Sequence, residues 1–303
     1  MENISPLSNQ PNSESRQQGL VSVLVPVFNH ENYIIECLES IEKQSYSSIE
    51  LIILDDGSSD ESFRLAQSWL KVHRERFVRS AISTQPNRGI PATFNTLVRS
   101  SHGRYIYLIA SDDIALPDAL AQLVEFYETN CDPHTLLITD VSLINSHGET
   151  IAQSAAAWRK RDTGRLEAST EFLKREVILR WGVPFFHQFY SRTFFNYFDG
   201  YDESIDFEDM YFALLAAAEN KLRFTRIRSK QYRIRDGYSS TPGLPVGLQR
   251  DIAVRKLTSG RFSLIWRCIF KLLNYRDAQR KATSRFFLNH LISAIRFAAR
   301  ITA

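Results

Sequence analysis

The sequence has few of the glycine patterns on which several classes of nucleotide-binding enzyme depend. Its 303 residues contain 12 glycines, and these form neither a G-x-G pair nor a GxxxxGK loop. A GxSxG elbow and an HExxH pair are also missing. Because dinucleotide and P-loop sites need glycine where backbone amides approach phosphate, these absences exclude the Rossmann dinucleotide, P-loop, α/β-hydrolase and zincin classes.

Cysteines and long apolar runs are scarce as well. The three cysteines, Cys37, Cys131 and Cys268, are far apart and odd in number, which argues against a disulfide framework or a zinc site. The N-terminus lacks the apolar core of a signal peptide, and no uncharged apolar stretch approaches the ~18 residues of a membrane span. The sequence therefore predicts a cytoplasmic protein that does not cross a bilayer.

Positive charge is concentrated at one end of the chain. Residues 245–303 contain 12 Lys and Arg against two acids, a net charge of +10, so the rest of this +3 chain carries −7. The polar composition of residues 1–19 predicts disorder. We therefore expect an acidic body at 20–244 and a basic extension at 245–303.

Apolar runs alternate with segments of helical periodicity along the first half of the body. Five strands are predicted, at Leu20–Val27, Ile49–Leu54, Phe77–Thr84, the run from Arg104 and Leu136–Thr139. Strands that alternate with helices indicate an α/β fold with a mainly parallel sheet and helices on both faces. The loops that follow the strands should open on one edge of this sheet.

Two adjacent carboxylates, Asp112 and Asp113, end the run that begins at Arg104. Ligands of open α/β sheets gather at the carboxyl ends of the strands. Neighbouring carboxylates suit a hard divalent cation that also holds phosphate oxygens, so one hypothesis is a metal-diphosphate site. The alternative is that Ser111 and Asp112 cap the helix that begins near Pro117.

Six segments, in order, resemble the inverting family 2 glycosyltransferases of the GT-A fold. They read VSVLVPVFN, LIILDDGSSDES, QPNRGIPATFN, SHGRYIYLIASDDIALPDAL, FEDMYFALLAA and QYRIRDGYS, and they run from about Val21 to Ser240. The resemblance implies a Rossmann-like GT-A domain with a nucleotide-binding half at 20–115 and an acceptor half at 116–244. An α-helical C-terminal extension, 245–303, would follow.

The resemblance also implies roles for particular residues. Asp113 would be the main ligand of Mg²⁺ or Mn²⁺, with Asp112 beside it as a second metal ligand or a ribose contact. Asp209 would be the catalytic base, with Glu208 as its neighbour. The donor nucleotide and its diphosphate would be contacted by Pro26, Phe28, Asn29, Asp56, Arg88, Asp112, Arg233 and Arg235.

The sequence departs from the family pattern at three positions. Ala110 stands where many members have a further aspartate, Phe28 where tyrosine is usual, and Arg235 where a histidine often follows the Tyr-Arg pair. An arginine at the last position could place a fixed cation at the diphosphate, because guanidinium matches phosphate bidentately. This departure leaves two sources of positive charge at the diphosphate open, a metal ion or Arg235.

The proposed chemistry needs a general base for the acceptor hydroxyl. Glu208 and Asp209 are neighbours on a predicted helix and point about 100° apart, so only one of them can face the reacting carbon. We choose Asp209, although both residues could be ordinary surface acids. A single displacement by the acceptor inverts the anomeric centre.

These observations predict transfer from a nucleotide sugar, a UDP-sugar by resemblance, to a glycan or lipid-linked acceptor of a surface polysaccharide. The competing hypotheses are a sugar nucleotidyltransferase and a catalytically silent scaffold at a membrane surface. His187 is expected to be a core histidine. Four aromatic residues could either stack beneath an acceptor sugar or pack in the core: Trp158, Trp181, Phe185 and Phe186.

The basic extension is predicted to be helical, with a cationic amphipathic helix over 285–300. Two interpretations compete for it. It could pack against the catalytic body or another subunit, or it could lie on an anionic membrane at the inner face of the plasma membrane. A nucleic-acid role is disfavoured, because no recognised binding module accompanies the charge.

Overall fold

The computed structural model describes residues 19–180, 187–205, 208–235 and 252–279. The predictions for Trp181, Phe185, Phe186 and the helix over 285–300 lie outside these residues, as does the predicted disorder at the N-terminus apart from Gly19.

One sheet of nine strands runs through the described part of the chain. The strands are β1 (Val21–Val27), β2 (Ile49–Asp55), β3 (Arg79–Thr84), β4 (Tyr105–Leu108), β5 (Ile114–Ala115), β6 (Leu136–Ile144), β7 (Thr150–Ala152), β8 (His187–Ser191) and β9 (Leu222–Arg233). Their order is β3-β2-β1-β4-β8-β6-β9-β5, with β7 paired to β6. Strands β3, β2, β1 and β4 are parallel to one another, and β8 lies antiparallel between β4 and β6.

The helices cover both faces of this sheet. They are α1 (Ile34–Glu42), α2 (Ser62–His73), α3 (Ile90–Ser100), α4 (Ala119–Asn130), α5 (Ala155–Trp158), α6 (Thr163–Ala168), α7 (Thr170–Arg180), α8 (Arg192–Tyr197), α9 (Glu208–Ala218) and α10 (Leu264–Gln279). Residues 252–258 are also helical.

Alternate residues of the central strands enter two different hydrophobic cores. Val23 and Val25 of β1 pack with α1, α2 and α4, whereas Leu24 packs on the other face with α3, α7, α8 and α9. Because such strands are buried on both faces, they read as continuous apolar runs. This is why the sequence predicts them, and the expected α/β sheet flanked by helices is confirmed.

The register of the sheet brings several strand ends to one edge. Val27 at the end of β1 lies opposite Asp55 at the end of β2, and Leu24 lies opposite Leu108 of β4. Strand β9 pairs with β5 through Ile114 and Gln231. The loop that carries Asp112 and Asp113 is therefore adjacent to the end of β9.

The described part of the C-terminal extension packs against the body that precedes it. Val254 from the 252–258 helix and Trp266, Phe270 and Leu273 from α10 belong to the same buried cluster as α7 and α9. A buried ion pair joins these two helical segments, with Arg255 Nη1 2.7 Å from Asp277 Oδ2. Of the two interpretations of the extension, packing against the body therefore holds for residues 252–279.

Candidate active site

Asp113 is buried and its carboxylate is already engaged. Its side chain is 1% exposed, and Lys230 Nζ donates to Oδ2 at 2.6 Å. The backbone amide of Arg233 donates to Oδ1 at 3.0 Å. A ligand of a metal that also holds phosphate needs an open oxygen, so Asp113 is poorly placed for the role of main metal anchor. Its contacts instead fasten the loop after β4 to strand β9.

Asp112 is the more accessible of the two carboxylates. Arg235 Nε lies 3.0 Å from Oδ2, and the side chains of Asp112 and Arg235 are 11% and 18% exposed. Burial raises the pKa of both Asp112 and Asp113. The charge of Arg235 opposes the shift at Asp112, and the charge of Lys230 opposes it at Asp113. The pair formed by Asp112 and Arg235 faces the edge of the sheet, where ligands of such folds bind.

Arg233 holds the backbone around the two aspartates. Its Nε donates to the Asp112 carbonyl at 2.8 Å, and Nη1 donates to the carbonyls of Asn145 and Ser146, each at 3.3 Å. Nη2 donates to Glu36 Oε2 at 2.5 Å. With a side chain that is 2% exposed, Arg233 is better suited to bracing the loop than to the expected contact with diphosphate.

His30 and Ser111 are two site residues that the sequence did not indicate. His30 Nδ1 lies 2.7 Å from Ser111 Oγ and 3.8 Å from Asp112 Oδ1. Burial, reinforced by the charge of Arg235, lowers the pKa of His30 to about 4. The ring is therefore neutral at pH 7 and forms no ion pair with Asp112. A histidine directly after the Phe-Asn of the first loop was the signal that could have suggested it.

Ser111 and Asp112 do not cap the helix that follows them, so this alternative prediction is wrong. Helix α4 begins at Ala119, with Asp118 at its N-cap position. Ser111 is instead hydrogen-bonded to His30, and Asp112 is paired with Arg235.

Asp56 organises the loop between β3 and α3. Its Oδ1 accepts hydrogen bonds from Gln85 Nε2 at 2.8 Å and from the Arg88 amide at 2.9 Å. Its Oδ2 accepts one from the Gly89 amide at 3.0 Å. A carboxylate oxygen can accept two hydrogen bonds, so Oδ2 retains acceptor capacity for the predicted contact with the nucleotide base.

The residues after β1 join the loop after β2. Asn29 has a positive φ of 54°, and its Oδ1 accepts a hydrogen bond from the Ser59 amide at 2.8 Å. Pro26 lies within β1. Phe28 is 41% exposed at the same edge, where an aromatic ring is available to stack on a base.

Arg88 forms an ion pair with a residue distant in sequence. Its Nη2 donates to Glu203 Oε2 at 3.0 Å, and both side chains are exposed. Glu203 Oε1 also accepts a hydrogen bond from Asn95 Nδ2 at 3.0 Å. Arg88 is thus positioned by an acid that lies 115 positions further along the chain.

Asp209 lies in the first turn of α9, and it is tied to the sheet by a residue that the sequence analysis missed. Gln188 Nε2 of β8 donates to the Asp209 carbonyl at 2.7 Å. Strand β8 begins beside the end of β4, since Tyr107 pairs with Phe189. Gln188 therefore connects the start of α9 to the edge that carries Asp112. The side chain of Glu208 lies outside the part of the chain that the structure describes.

The donor set of this site does not fit a divalent metal well. Among the described residues, no group of three or more His, Cys, Asp or Glu could hold such an ion. Asp112 and Asp113 face the cations Arg235 and Lys230. Two unit charges 4 Å apart repel by about 4 kcal/mol at an effective dielectric constant of 20, and a divalent ion doubles that. An added dication would therefore compete with Arg235 and Lys230 for these carboxylates.

Known structures share this fold. TarS 1-349 of S. aureus in complex with UDP-GlcNAc matches with a TM-score of 0.62 at 17% identity, covering 86% of this chain and 73% of that one. The mannosyltransferase PcManGT of Pyrobaculum calidifontis, in complex with GDP-Man and Mn²⁺, matches with a TM-score of 0.55 at 15% identity, covering 99% and 90%. The fold is thus that of GT-A glycosyltransferases.

The family follows from sequence. The pattern described as "Glycosyl transferase family 2" matches residues 22–200, and the chain belongs to this family. Chondroitin synthase of Escherichia coli is 40% identical over 102 residues, which are 33% of this chain and 14% of that protein. The glycosyltransferase GlyG of Streptococcus pneumoniae is 34% identical over 107 residues, 35% of this chain and 34% of that protein. The chain thus matches 34% or less of these relatives' own lengths.

Proposed function

We propose that the chain is an inverting glycosyltransferase. It moves a sugar from a nucleotide-sugar donor, a UDP-sugar, to a hydroxyl of a glycan or lipid-linked acceptor of a surface polysaccharide. The observation that carries the proposal is the pair of Asp112 and Arg235 at the sheet edge, next to the loop organised by Asp56. Neighbours in complex with UDP-GlcNAc and GDP-Man, and a chondroitin synthase among the relatives, support this substrate class.

The leaving group explains why cations matter at this edge. When the anomeric C–O bond breaks, negative charge develops on the nucleoside diphosphate, and a cation fixed in advance stabilises that charge. The Arg235 guanidinium can donate two parallel hydrogen bonds to phosphate. The expected Mg²⁺ or Mn²⁺ forms no part of this proposal, because the described donor set does not fit it.

Asp209 is the proposed base that removes the proton from the acceptor hydroxyl. The first turn of a helix favours the ionised carboxylate through the helix dipole. The hydrogen bond from Gln188 to the Asp209 carbonyl supports a fixed position for this turn beside β8. Direct attack by the activated hydroxyl on the anomeric carbon inverts its configuration.

The experiment that tests the proposal compares the wild type with Asp209→Asn. Release of UDP is measured with a panel of UDP-sugars and glycan or lipid-linked acceptors, and UDP affinity is measured by calorimetry. We expect Asp209→Asn to lose transfer by a factor of about 100 or more, because a positioned base contributes about 10²–10⁴. UDP affinity should be unchanged.

Glu125→Gln is the matched control, since it removes one carboxylate charge from the exposed surface of α4. It should transfer like the wild type. Glu208→Gln is the competing variant, and loss of transfer there with full activity in Asp209→Asn would show that the base is misassigned. A sugar nucleotidyltransferase would release no UDP from these donors but would release pyrophosphate from UTP and a sugar 1-phosphate, and a silent scaffold would release neither product.

We also propose that the extension binds an anionic membrane surface. On α10, the residues opposite its buried side include the exposed Leu264, Ile265, Leu272 and Tyr275. The exposed charged side chains described over 252–279 are all basic: Lys256, Arg261, Arg267 and Lys271. Apolar side chains flanked by cations are typical of helices that lie at an anionic lipid surface. No described helix is both long enough and apolar enough to span a bilayer.

A further inference from the structure

The described side chains around Asp112 and Asp113 form a cluster in which three acids are paired with three bases. Asp113 faces Lys230, Asp112 faces Arg235, and Glu36 faces Arg233, at N–O distances of 2.6, 3.0 and 2.5 Å. Each acid thus has its own basic partner. Such a cluster needs no inorganic cation to hold its carboxylates together.

We infer, on the basis of the proposed function, that this chain binds the diphosphate of its donor without a divalent metal and that Arg235 supplies the positive charge. Two features favour Arg235 over the other basic residues of the cluster. Its side chain is 18% exposed, whereas those of Arg233 and Lys230 are 2% and 8% exposed. Arg235 also follows β9 at the open edge of the sheet, beside Asp112.

The guanidinium of Arg235 is held in place before any ligand arrives. Its Cζ lies 5.7 Å from the centre of the Tyr33 ring, and the Cζ of Arg233 lies 4.8 Å from the same ring. Contacts of a cation with an aromatic face are attractive at these distances. Tyr33 and Asp112 together orient the guanidinium, so less conformational entropy is lost when it binds phosphate.

Within the part of the chain that the structure describes, the remaining atoms near Asp112 do not complete a metal site. Asp112 Oδ1 is the carboxylate oxygen farther from Arg235 Nε, and the nearest imidazole nitrogen is His30 Nδ1 at 3.8 Å. That nitrogen is already in a hydrogen bond with Ser111 Oγ at 2.7 Å. A metal bound there would have one carboxylate oxygen from Asp112, and His30 could join it through Nδ1 only by giving up its contact with Ser111.

The experiment measures UDP affinity of the full chain by calorimetry in EDTA and again in Mn²⁺, for the wild type and two variants. We expect the wild type to bind UDP with affinities in the two conditions that differ by less than about 10-fold. Arg235→Ala should lose about 10-fold or more in both conditions, because hydrogen bonds to charged groups contribute this much. Arg235→His introduces a side chain that can ligate a metal, and its UDP affinity should rise with Mn²⁺.

Arg99→Ala is the matched control, because it removes an arginine from the exposed end of α3, and it should bind UDP like the wild type. Thermal unfolding of each variant verifies that it is folded. Loss of UDP affinity by about 10-fold or more when the wild type is transferred to EDTA would overturn the inference, and so would wild-type affinity in Arg235→Ala. If UDP, GDP and their sugars fail to bind in either condition, the proposed function itself falls.

Discussion

His187 illustrates how a single buried residue supports the site without being part of it. It is 4% exposed, its Nε2 contacts the Leu108 carbonyl, and its ring packs edge-on against Tyr107 at 4.4 Å. Burial, together with the nearby Lys230 ammonium, holds the pKa of His187 well below its ordinary value of 6.5. The residue is therefore a neutral core histidine, as the sequence predicted.

This shift makes the stability of the fold depend on pH. Below pH 6.5 the unfolded chain binds a proton at His187 that the folded chain does not bind, so the free energy of unfolding decreases as the pH falls. From about pH 7.5 to about pH 5.5 the loss from this residue should be about 1 kcal/mol. Urea unfolding of the wild type and His187→Gln at both pH values measures it.

The variant should lose about 1 kcal/mol less than the wild type over this range, whatever its stability at the higher pH. All other titrating groups are common to both proteins and cancel in the comparison. Equal pH dependence of the two proteins would contradict this, because it would mean that His187 binds protons equally in the folded and unfolded states.

At the scale of single elements, the opposite edge of the sheet is built around Glu50 at the start of β2. This carboxylate is 0% exposed and accepts hydrogen bonds from Ser22 Oγ at 2.6 Å and from the amides of His102 and Gly103 at 2.7 and 3.2 Å. Burial by itself would raise the pKa of Glu50, but the hydrogen bonds from His102, Ser22 and Arg79 lower it. Glu50 thus ties β1, β2 and the loop before β4 together.

Glu50→Gln should destabilise the fold without affecting the ligand site. The new amide group would face N–H and O–H donors, and each buried donor left unsatisfied costs about 1–3 kcal/mol. We expect the free energy of unfolding to drop by about 2 kcal/mol in a urea titration, while UDP affinity stays unchanged. Glu39→Gln, at an exposed position of α1, is the control and should cost less than about 1 kcal/mol. Equal stability of the two variants would contradict this role for Glu50.

The elements also show what the sequence could and could not predict. Strands β1, β2 and β4 were predicted because burial on both faces makes them continuous apolar runs. Strand β9 was missed, since Leu222–Arg233 contains many basic residues and has only weak apolar alternation. Its polar residues are stabilised by partners distant in sequence, such as Lys230 and Asp113, which lie 117 positions apart. Local patterns carry no information about such pairs.

The same reason limits what could be predicted of the site. Asp56, Asp112 and Arg235 could be placed at one edge because each directly follows a strand or lies in a recognisable motif. The distribution of roles between Asp112 and Asp113 could not be predicted, because it depends on β9 reaching the loop after β4. Gln188 was missed for a similar reason, since its partner is a carbonyl on another element.

For the whole molecule, the C-terminal extension continues the catalytic body and also adds a surface to it. One side of α10 contributes Trp266, Ile269 and Phe270 to the core. The other side leaves Leu264 and Ile265 76% and 51% exposed. A helix with apolar residues on both sides buries one side in its own fold and leaves the other available to a second apolar environment.

If that environment is an anionic membrane, binding should depend on both the apolar and the charged residues of this surface. The full chain is expected to sediment with vesicles that contain phosphatidylserine at low salt, and less so at high salt, because exposed charges are screened. The double variant Leu264→Ser/Ile265→Ser should weaken binding by about 10-fold or more, since burying one such side chain contributes about 1.5–3 kcal/mol. Val72→Ser on α2, where the side chain is 74% exposed, should bind like the wild type. Equal sedimentation of the double variant and the wild type would mean that another part of the chain binds the membrane. Absence of binding at low salt would exclude the membrane as the partner of this surface.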